Sequence, residues 1–171
     1  MNGEFKTIDP EQIGDNVFKL IDKDWMLITA GKSDSFNTMT ASWGGLGILW
    51  HKPVAFCFVR PNRHTYGFME REQYYSLSIY PEKYRKVLEL CGTKSGRNID
   101  KVKETGLTPL SGVTGAVYFE QARLVLECRK IYYHDIDPQK FLDPEIHKNY
   151  PIKDYHRMYV GEILSCLLKQ N

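Results

Sequence analysis

A run of seven residues, Val54-Ala-Phe-Cys-Phe-Val-Arg60, constrains the fold of this chain more than any other segment. It is apolar up to its last residue, and a proline stands immediately before it and another immediately after it. The run is too short for a typical buried helix, and proline interrupts the backbone hydrogen bonding of a regular element. It therefore predicts a buried β-strand.

Further segments rich in apolar, β-branched and aromatic residues predict five more strands. They cover residues 25–30, 36–43, 74–80, 122–133 and 158–168. The pair Gly44-Gly45 is expected to break the chain after the second of these. Many short strands with few helices are typical of a closed or nearly closed antiparallel barrel, so we predict a mainly β fold.

Two helices are predicted between these strands. The first starts at Pro81, which suits a first helical turn, and is expected to end before Gly92. Its apolar face consists of Tyr84, Val87, Leu88 and Cys91. The second covers residues 99–104 and is stopped by Gly106. The segment 132–155, rich in Asp, Pro, His and Tyr, is predicted to be an ordered excursion from the sheet rather than a second domain.

Composition narrows the class of protein. A chain of 171 residues predicts one domain, covering residues 1–171, and a formal net charge of only +2 argues against a nucleic-acid partner. The first residues contain no apolar signal region, and no segment approaches the length of a membrane span. The four cysteines have neither metal-ligand nor C-x-x-C spacing, which predicts buried, reduced thiols. We expect a soluble cytoplasmic protein with no membrane partner.

Three polar segments are candidates for a binding site. They are Asn37-Thr-Met-Thr-Ala-Ser-Trp-Gly-Gly45, Phe58-Val-Arg-Pro-Asn-Arg-His-Thr65 and Cys91-Gly-Thr-Lys-Ser-Gly-Arg-Asn-Ile-Asp-Lys101. Hydroxyls and backbone N–H groups bind polar edges, cations bind phosphate, and the indole offers a ring face. Together they predict an anionic ligand with a flat ring. Taken singly, the third segment is also compatible with a solvated helix connection, and the two arginines of the second with surface pairs to Glu70 or Glu72.

In this order and spacing, the three segments resemble the flavin reductase-like, FMN-binding split-barrel family, with the flavoredoxin type as the branch of greatest similarity. The resemblance covers roughly residues 15–168. Two positions depart from the family's pattern, which often has Tyr in place of His64 and Asp in place of Asn98. Neither residue type is required for a phosphate contact, so the departures leave the expectation of flavin binding unchanged.

The resemblance implies a homodimeric, Greek-key antiparallel split barrel that binds FMN non-covalently. Residues expected to line the isoalloxazine ring and ribityl chain are Asn37, Met39, Thr40, Ala41, Ser42 and Trp43. Residues expected around the phosphate are Arg60, Asn62, Arg63, His64 and Thr65, completed by Ser95, Gly96 and Lys101. His156 is a candidate for the nicotinamide side of the flavin. No acid–base catalytic residue and no metal are expected, because the cofactor carries the redox chemistry.

Three functions remain open at this point. The first is an NAD(P)H-dependent flavin reductase, in which NADH or NADPH is the electron donor. The second is a flavoredoxin-type electron carrier, in which redox proteins are the partners and no nicotinamide is used. The third is a nucleic-acid-binding barrel. The low net charge, and cations that cluster in loops, argue against the third.

Overall fold

The computed structural model describes residues 4–170. Its ten strands are β1 (Phe5–Ile8), β2 (Met26–Lys32), β3 (Ser35–Ala41), β4 (Gly44–Leu49), β5 (Lys52–Val59), β6 (Tyr74–Ile79), β7 (Pro109–Ser111), β8 (Val117–Phe119), β9 (Leu124–Asp135) and β10 (Arg157–Lys169). Its α-helices are α1 (Val17–Lys19), which continues as a π-helical turn (Leu20–Asp24), α2 (His64–Arg71), α3 (Arg85–Thr93) and α4 (Lys101–Thr105). Short 3-10 turns cover Pro10–Gln12, Glu82–Tyr84, Pro138–Lys140 and Pro144–Asn149.

Eight strands form one antiparallel sheet in the order β3-β2-β6-β9-β10-β5-β4, with β1 paired to the C-terminal part of β10. The sheet curls around a single interior. Met39 of β3 and Leu46 of β4 stand at opposite ends of the strand order, yet both pack into the same hydrophobic cluster as Ala55 and Tyr75. Because strands from both ends of the sheet pack into one core, the sheet has the shape of a barrel.

The sheet buries apolar residues on both faces. Neighbouring residues of a strand alternate between them: Ile28 and Leu126 belong to the interior cluster, whereas Leu27 and Val125 belong to a second cluster outside the barrel. Helix α3 contributes Leu88 to the outer cluster, and the β7–β8 hairpin lies against it as well. In strand β5, Ala55, Cys57 and Val59 belong to the interior cluster, whereas Phe56 and Phe58 on the other face are half-buried.

The six predicted strands are all present, and their ends differ from the predicted ends by at most two residues. Two predictions about glycines are wrong. The chain leaves strand β3 already after Ala41, and Gly44-Gly45 begins strand β4 instead of forming the break, because that edge strand pairs with β5. Gly92 lies inside helix α3, which continues to Thr93. The second helix covers Lys101–Thr105, and Gly106 caps it with a φ of +69°.

Helix α2 was not predicted, and strand β9 extends to Asp135, so the excursion is shorter than expected. We call residues 136–156 the β9–β10 connection. In the described part of the chain, no helix is long and apolar enough to cross a membrane.

Candidate functional site

All fourteen predicted cofactor-binding residues line two adjoining cavities beside strand β3. The larger cavity, of about 350 Å³, is lined by Met39, Thr40, Ala41, Ser42, Trp43, Phe58, Arg60, Asn62, Arg63 and His156. The smaller, of about 110 Å³, is lined by Asn37, Met39, Asn62, Arg63, His64, Thr65, Lys94, Ser95, Gly96, Arg97 and Lys101. Met39, Asn62 and Arg63 belong to both, so the two spaces are neighbours.

Two connections and one strand supply most of these residues, and each connection has a local cause. The β5–α2 turn arises because Pro61 cannot continue the ladder of β5. The N–H of Arg63 then donates to the carbonyl of Arg60 (3.0 Å), and α2 follows at once. In the α3–α4 loop the N–H of Asn98 donates to the carbonyl of Ser95 (3.0 Å), which turns Ser95 and Gly96 toward α2. Strand β3 contributes the third side of the site.

The smaller cavity is strongly cationic. Arg63, Lys94, Arg97 and Lys101 line it, and among the described residues no carboxylate does. Helix α2 begins there, and its N-terminus has no side-chain hydrogen-bond cap. The positive end of the helix dipole therefore adds to the four cations. Free backbone donors together with clustered cations are the features of an anion site.

Lys101 is buried in the wall of this cavity. Its ammonium donates to the carbonyl of Thr38 (2.7 Å) and to that of Cys91 (2.8 Å), which leaves one N–H for the cavity. Burial lowers its pKa to about 8; the charge of Arg63 adds to this shift, and Cys91 opposes it. The apo site thus holds positive charges that repel one another, and a bound anion would relieve that repulsion.

The pKa values of His64 and Arg63 are also lowered by burial and by neighbouring positive charges. Burial lowers the pKa of His64, and the positive charges of Arg97, Lys101 and Arg71 lower it further. Burial also lowers the pKa of the Arg63 guanidinium, with a contribution from Arg60. The Arg63 side chain is held by a hydrogen bond from its Nη2 to the carbonyl of Gly92 (2.6 Å).

Gly96 has a steric role beside Asn37. The Asn37 amide donates to the Thr65 hydroxyl (2.7 Å) and is buried, which fixes its orientation. A Cβ on residue 96 would lie 2.0 Å from Asn37 Oδ1 and 3.2 Å from the His64 ring. Only glycine therefore lets the α3–α4 loop approach β3 closely enough to close the cavity.

The larger cavity has an aromatic wall. The rings of Trp43 and His156 are 5.0 Å apart, and Phe58 lies edge-on to His156 at 6.3 Å. The Tyr150 hydroxyl and His156 Nδ1 are hydrogen-bonded at 2.9 Å. Burial, together with the charge of Arg60, lowers the pKa of His156 to about 4, so its imidazole is neutral at neutral pH.

Arg60 and Asn62 turn toward the β9–β10 connection. Arg60 Nη1 donates to Asp154 Oδ1 (2.7 Å), and the Asn62 amide donates to Asp154 Oδ2 (3.0 Å). The alternative pairing of the site arginines with Glu70 or Glu72 is wrong for Arg60, and Glu70 accepts instead from Arg157 (2.7 Å).

No local sequence pattern indicates that Asp154 and Tyr150 belong to the site, because they lie about 90 residues from Arg60 along the chain. Phe58, Lys94 and Arg97 were also not predicted to line it. All three lie inside the three polar segments of the sequence.

A wider apolar groove, of about 910 Å³, opens beside the larger cavity and shares Ser42, Trp43 and Phe58 with it. Phe18, Leu46 and Ile136 line its other walls. A flat ligand in the larger cavity would therefore have one edge toward an apolar surface.

No group of His, Cys, Asp or Glu residues within 4–170 has the arrangement of a metal site.

Comparison with known proteins gives a consistent result. The family described as "Flavin reductase like domain" matches residues 19–171. No curated protein matches the chain. Among solved structures, the flavoredoxin of Desulfovibrio vulgaris (Miyazaki F) is 22% identical, with a TM-score of 0.68 over 95% of this chain and 78% of that one.

Two further structures share the fold. A protein described as a flavin reductase with a split barrel domain, from Shewanella frigidimarina, is 14% identical, with a TM-score of 0.68 over 96% of this chain and 76% of that one. An FMN-binding protein from Thermus thermophilus, with bound p-hydroxybenzaldehyde, is 20% identical, with a TM-score of 0.65 over 83% of this chain and 69% of that one. Since the family match covers most of the sequence, the chain belongs to the flavin reductase-like family of split-barrel proteins.

Proposed function

We propose that this chain is an FMN-dependent oxidoreductase that takes electrons from NADH or NADPH. The observation that carries the proposal is the junction of a small cationic cavity with a larger cavity that has an aromatic wall. FMN has the matching form, with a phosphate at one end and a flat ring at the other. The FMN-binding protein from Thermus thermophilus, which shares the fold of this chain, supports the choice of cofactor.

The phosphate would lie in the smaller cavity. Arg63, Lys101, Ser95 and the start of α2 supply donors there, and the charge-assisted contacts are the stronger ones. The cavity volume of about 110 Å³ suits a phosphate group rather than an extended nucleic-acid strand. The clustered cations would hold the charge of the phosphate without any rearrangement of a carboxylate.

The ring would lie in the larger cavity, between the end of β3 and the aromatic wall. Backbone groups of residues 39–43 and the hydroxyl of Ser42 would orient its polar edge, and Trp43 and Phe58 would exclude water from it. The Thr40 hydroxyl donates to the carbonyl of Leu88, so it could only accept a hydrogen bond from the ring. When bound, FMN supplies two-electron and one-electron transfer, and the protein adjusts those properties through such contacts.

We propose that the electron donor binds in the apolar groove beside the larger cavity. The groove beside Trp43 is wide enough, at about 910 Å³, for a second planar ring such as nicotinamide. His156, the last residue of the β9–β10 connection, lines the larger cavity beside Trp43, and its neutral imidazole can donate or accept a hydrogen bond there. The flavoredoxin relative favours the alternative, an electron carrier with redox-protein partners.

A homodimer is also proposed. Phe18 is 85% exposed and Trp43 is 44% exposed, and both line the groove beside the larger cavity. Exposed apolar side chains of this size are typical of an interface. A second copy of the chain covering part of this surface would bury them, and light scattering after size-exclusion chromatography measures the mass that decides it.

The test is a visible spectrum of the purified protein with FMN, recorded anaerobically before and after NADH and then NADPH. Bleaching of the flavin bands within seconds is expected. Bands that persist with both nucleotides but bleach with dithionite would support the electron carrier instead. A protein that neither contains nor takes up FMN would overturn the proposal.

Arg63→Ala tests the location of the phosphate. Removal of a charged hydrogen-bond partner is expected to weaken FMN binding by about 1.5–3 kcal/mol. Arg85→Ala is the matched control. Arg85 is the first residue of α3, whereas Arg63 contacts the Gly92 carbonyl near the last residue, and Arg85 pairs with Glu82. An Arg63→Ala protein with the flavin content of the parent would show that the phosphate lies elsewhere.

A further inference from the structure

The Arg60 side chain is committed to the β9–β10 connection. Besides the ion pair with Asp154, its Nη2 donates to the carbonyl of Asn149 (2.9 Å). Its guanidinium also lies over the ring of Tyr150, 4.9 Å from the centroid. The Arg60 side chain lines only the larger of the two cavities, whereas Arg63 lines both.

Asp154 holds two residues of the β5–α2 turn at once. One carboxylate oxygen accepts from Arg60 and the other from Asn62. The pair is partly shielded, with 25% of the Arg60 side chain and 10% of the Asp154 side chain exposed. A carboxylate in this position neutralises Arg60 and would repel a phosphate brought close to it.

The β9–β10 connection folds as a unit over its own aromatic residues. Phe141, Tyr150 and Tyr155 are in mutual contact, with ring centroids 4.9–6.1 Å apart. Tyr150 reaches His156, which forms part of the wall of the larger cavity. The connection therefore forms one wall of the larger cavity, and Arg60 and Asn62 join it, through Asp154, to the β5–α2 turn.

We propose that Arg60, held by Asp154, is a positioning residue that fixes the β9–β10 connection as a wall of the ring cavity, and does not bind the flavin phosphate. The inference rests on the proposed function, since it concerns the same flavin. It gives the cations of the site different roles. Arg63 and Lys101 would bind the phosphate, and Arg60 would position the β9–β10 connection against the ring.

Two flavins separate these roles. FMN and riboflavin share the ring and ribityl chain, and only FMN has the phosphate. Loss of a phosphate ligand weakens FMN binding and leaves riboflavin binding unchanged. Loss of a residue that positions the ring wall weakens both by the same factor.

The experiment measures dissociation constants for FMN and riboflavin by flavin fluorescence in the parent and in Arg60→Ala, Asp154→Asn and Arg63→Ala. Arg60→Ala is expected to weaken both flavins by about tenfold, on the scale of a lost charged hydrogen bond. Arg63→Ala should weaken FMN alone. Circular dichroism and the thermal midpoint establish that each variant is folded.

Asp154→Asn gives the sharpest contrast because the two roles predict opposite signs. If Arg60 positions the wall, loss of the ion pair weakens both flavins. If Arg60 binds phosphate, removal of the competing carboxylate tightens FMN binding. Tighter FMN binding in Asp154→Asn, or a loss confined to FMN in Arg60→Ala, would overturn the inference.

Limited proteolysis of the ligand-free proteins provides a readout that does not depend on flavin. Faster cleavage within residues 136–156 is expected in Arg60→Ala and Asp154→Asn, with no change in Arg63→Ala. Unchanged cleavage there would overturn the inference. A parent that binds neither flavin would instead contradict the proposed function, while the cleavage pattern would still decide whether Arg60 holds the connection.

Discussion

At the scale of single residues, Lys101 shows how the fold sets a charge state. The side chain is 7% exposed, and its two carbonyl contacts only partly replace water. Burial therefore brings the pKa from its ordinary value of 10.5 to about 8. A sequence motif identifies this lysine as a candidate ligand, but only its surroundings show that its charge is lost just above neutral pH.

The pH dependence of FMN binding follows from this pKa. Because the phosphate favours the charged ammonium, the affinity should fall as the pH rises above about 8, by up to about tenfold per pH unit. The stability of the ligand-free protein changes with pH in the opposite sense. Its unfolded state holds the Lys101 proton more tightly, so the free energy of unfolding rises with pH between 8 and 10.5.

Titration of FMN between pH 7 and 9.5 measures this effect. Lys101→Met is expected to lower the affinity and to remove the pH dependence. Lys94→Met, at an exposed lysine of the same cavity, is the matched control and should keep it. An equal pH dependence in Lys101→Met and the parent would assign the titration to another group.

At the scale of elements, α2 depends on packing for its formation. Tyr66 and Gly67 have low helix propensity, and the helix is only eight residues long. Phe68 and Met69 are buried in the barrel interior, and the Lys130 ammonium donates to the carbonyl of Met69. Tertiary contacts thus form the helix whose N-terminus opens onto the cationic cavity, which is why local sequence patterns did not predict it.

Strand β10 contains a glycine that the interior requires. A Cβ on Gly161 would lie 2.2 Å from the Tyr75 hydroxyl and 2.9 Å from Cys128 Cβ, next to a shift in the β9–β10 register. Gly161→Ala should therefore lower the free energy of unfolding by about 1–3 kcal/mol, the cost of overpacking a core. Urea denaturation measures this difference.

Gly47→Ala is the matched control, because Gly47 also lies in a strand and a Cβ there meets nothing within 4 Å. It should leave the urea midpoint close to that of the parent. Equal losses in the two variants would mean that alanine disfavours both strands for a reason other than contact with Tyr75.

At the scale of the whole molecule, all four cysteines are buried in the two cores. Burial raises the pKa of Cys57 to about 12 and that of Cys166 to about 11. A thiol that stays protonated and out of solvent reacts slowly with disulfide reagents. Their reactivity therefore measures opening of the barrel.

The native protein should show no rapid reaction with a chromogenic disulfide reagent, and four thiols should react after denaturation in urea. Rapid labelling of a thiol in the native protein would reveal local opening.

Cys91→Ser should leave flavin reduction intact, since this thiol lies in the outer core rather than in either cavity of the site. Lost turnover in a folded Cys91→Ser protein would indicate a redox role.

The sequence alone determined the strands and the family, and it predicted fourteen site residues, which the structure brings together in two adjoining cavities. These follow from local patterns: runs such as residues 54–60 have one stable arrangement, and the site residues cluster in three short segments. The tertiary structure decided what depends on distant contacts. It formed α2, lowered the pKa of Lys101, and turned Arg60 toward Asp154 (94 residues away), because burial and long-range pairing exist only once the barrel has closed.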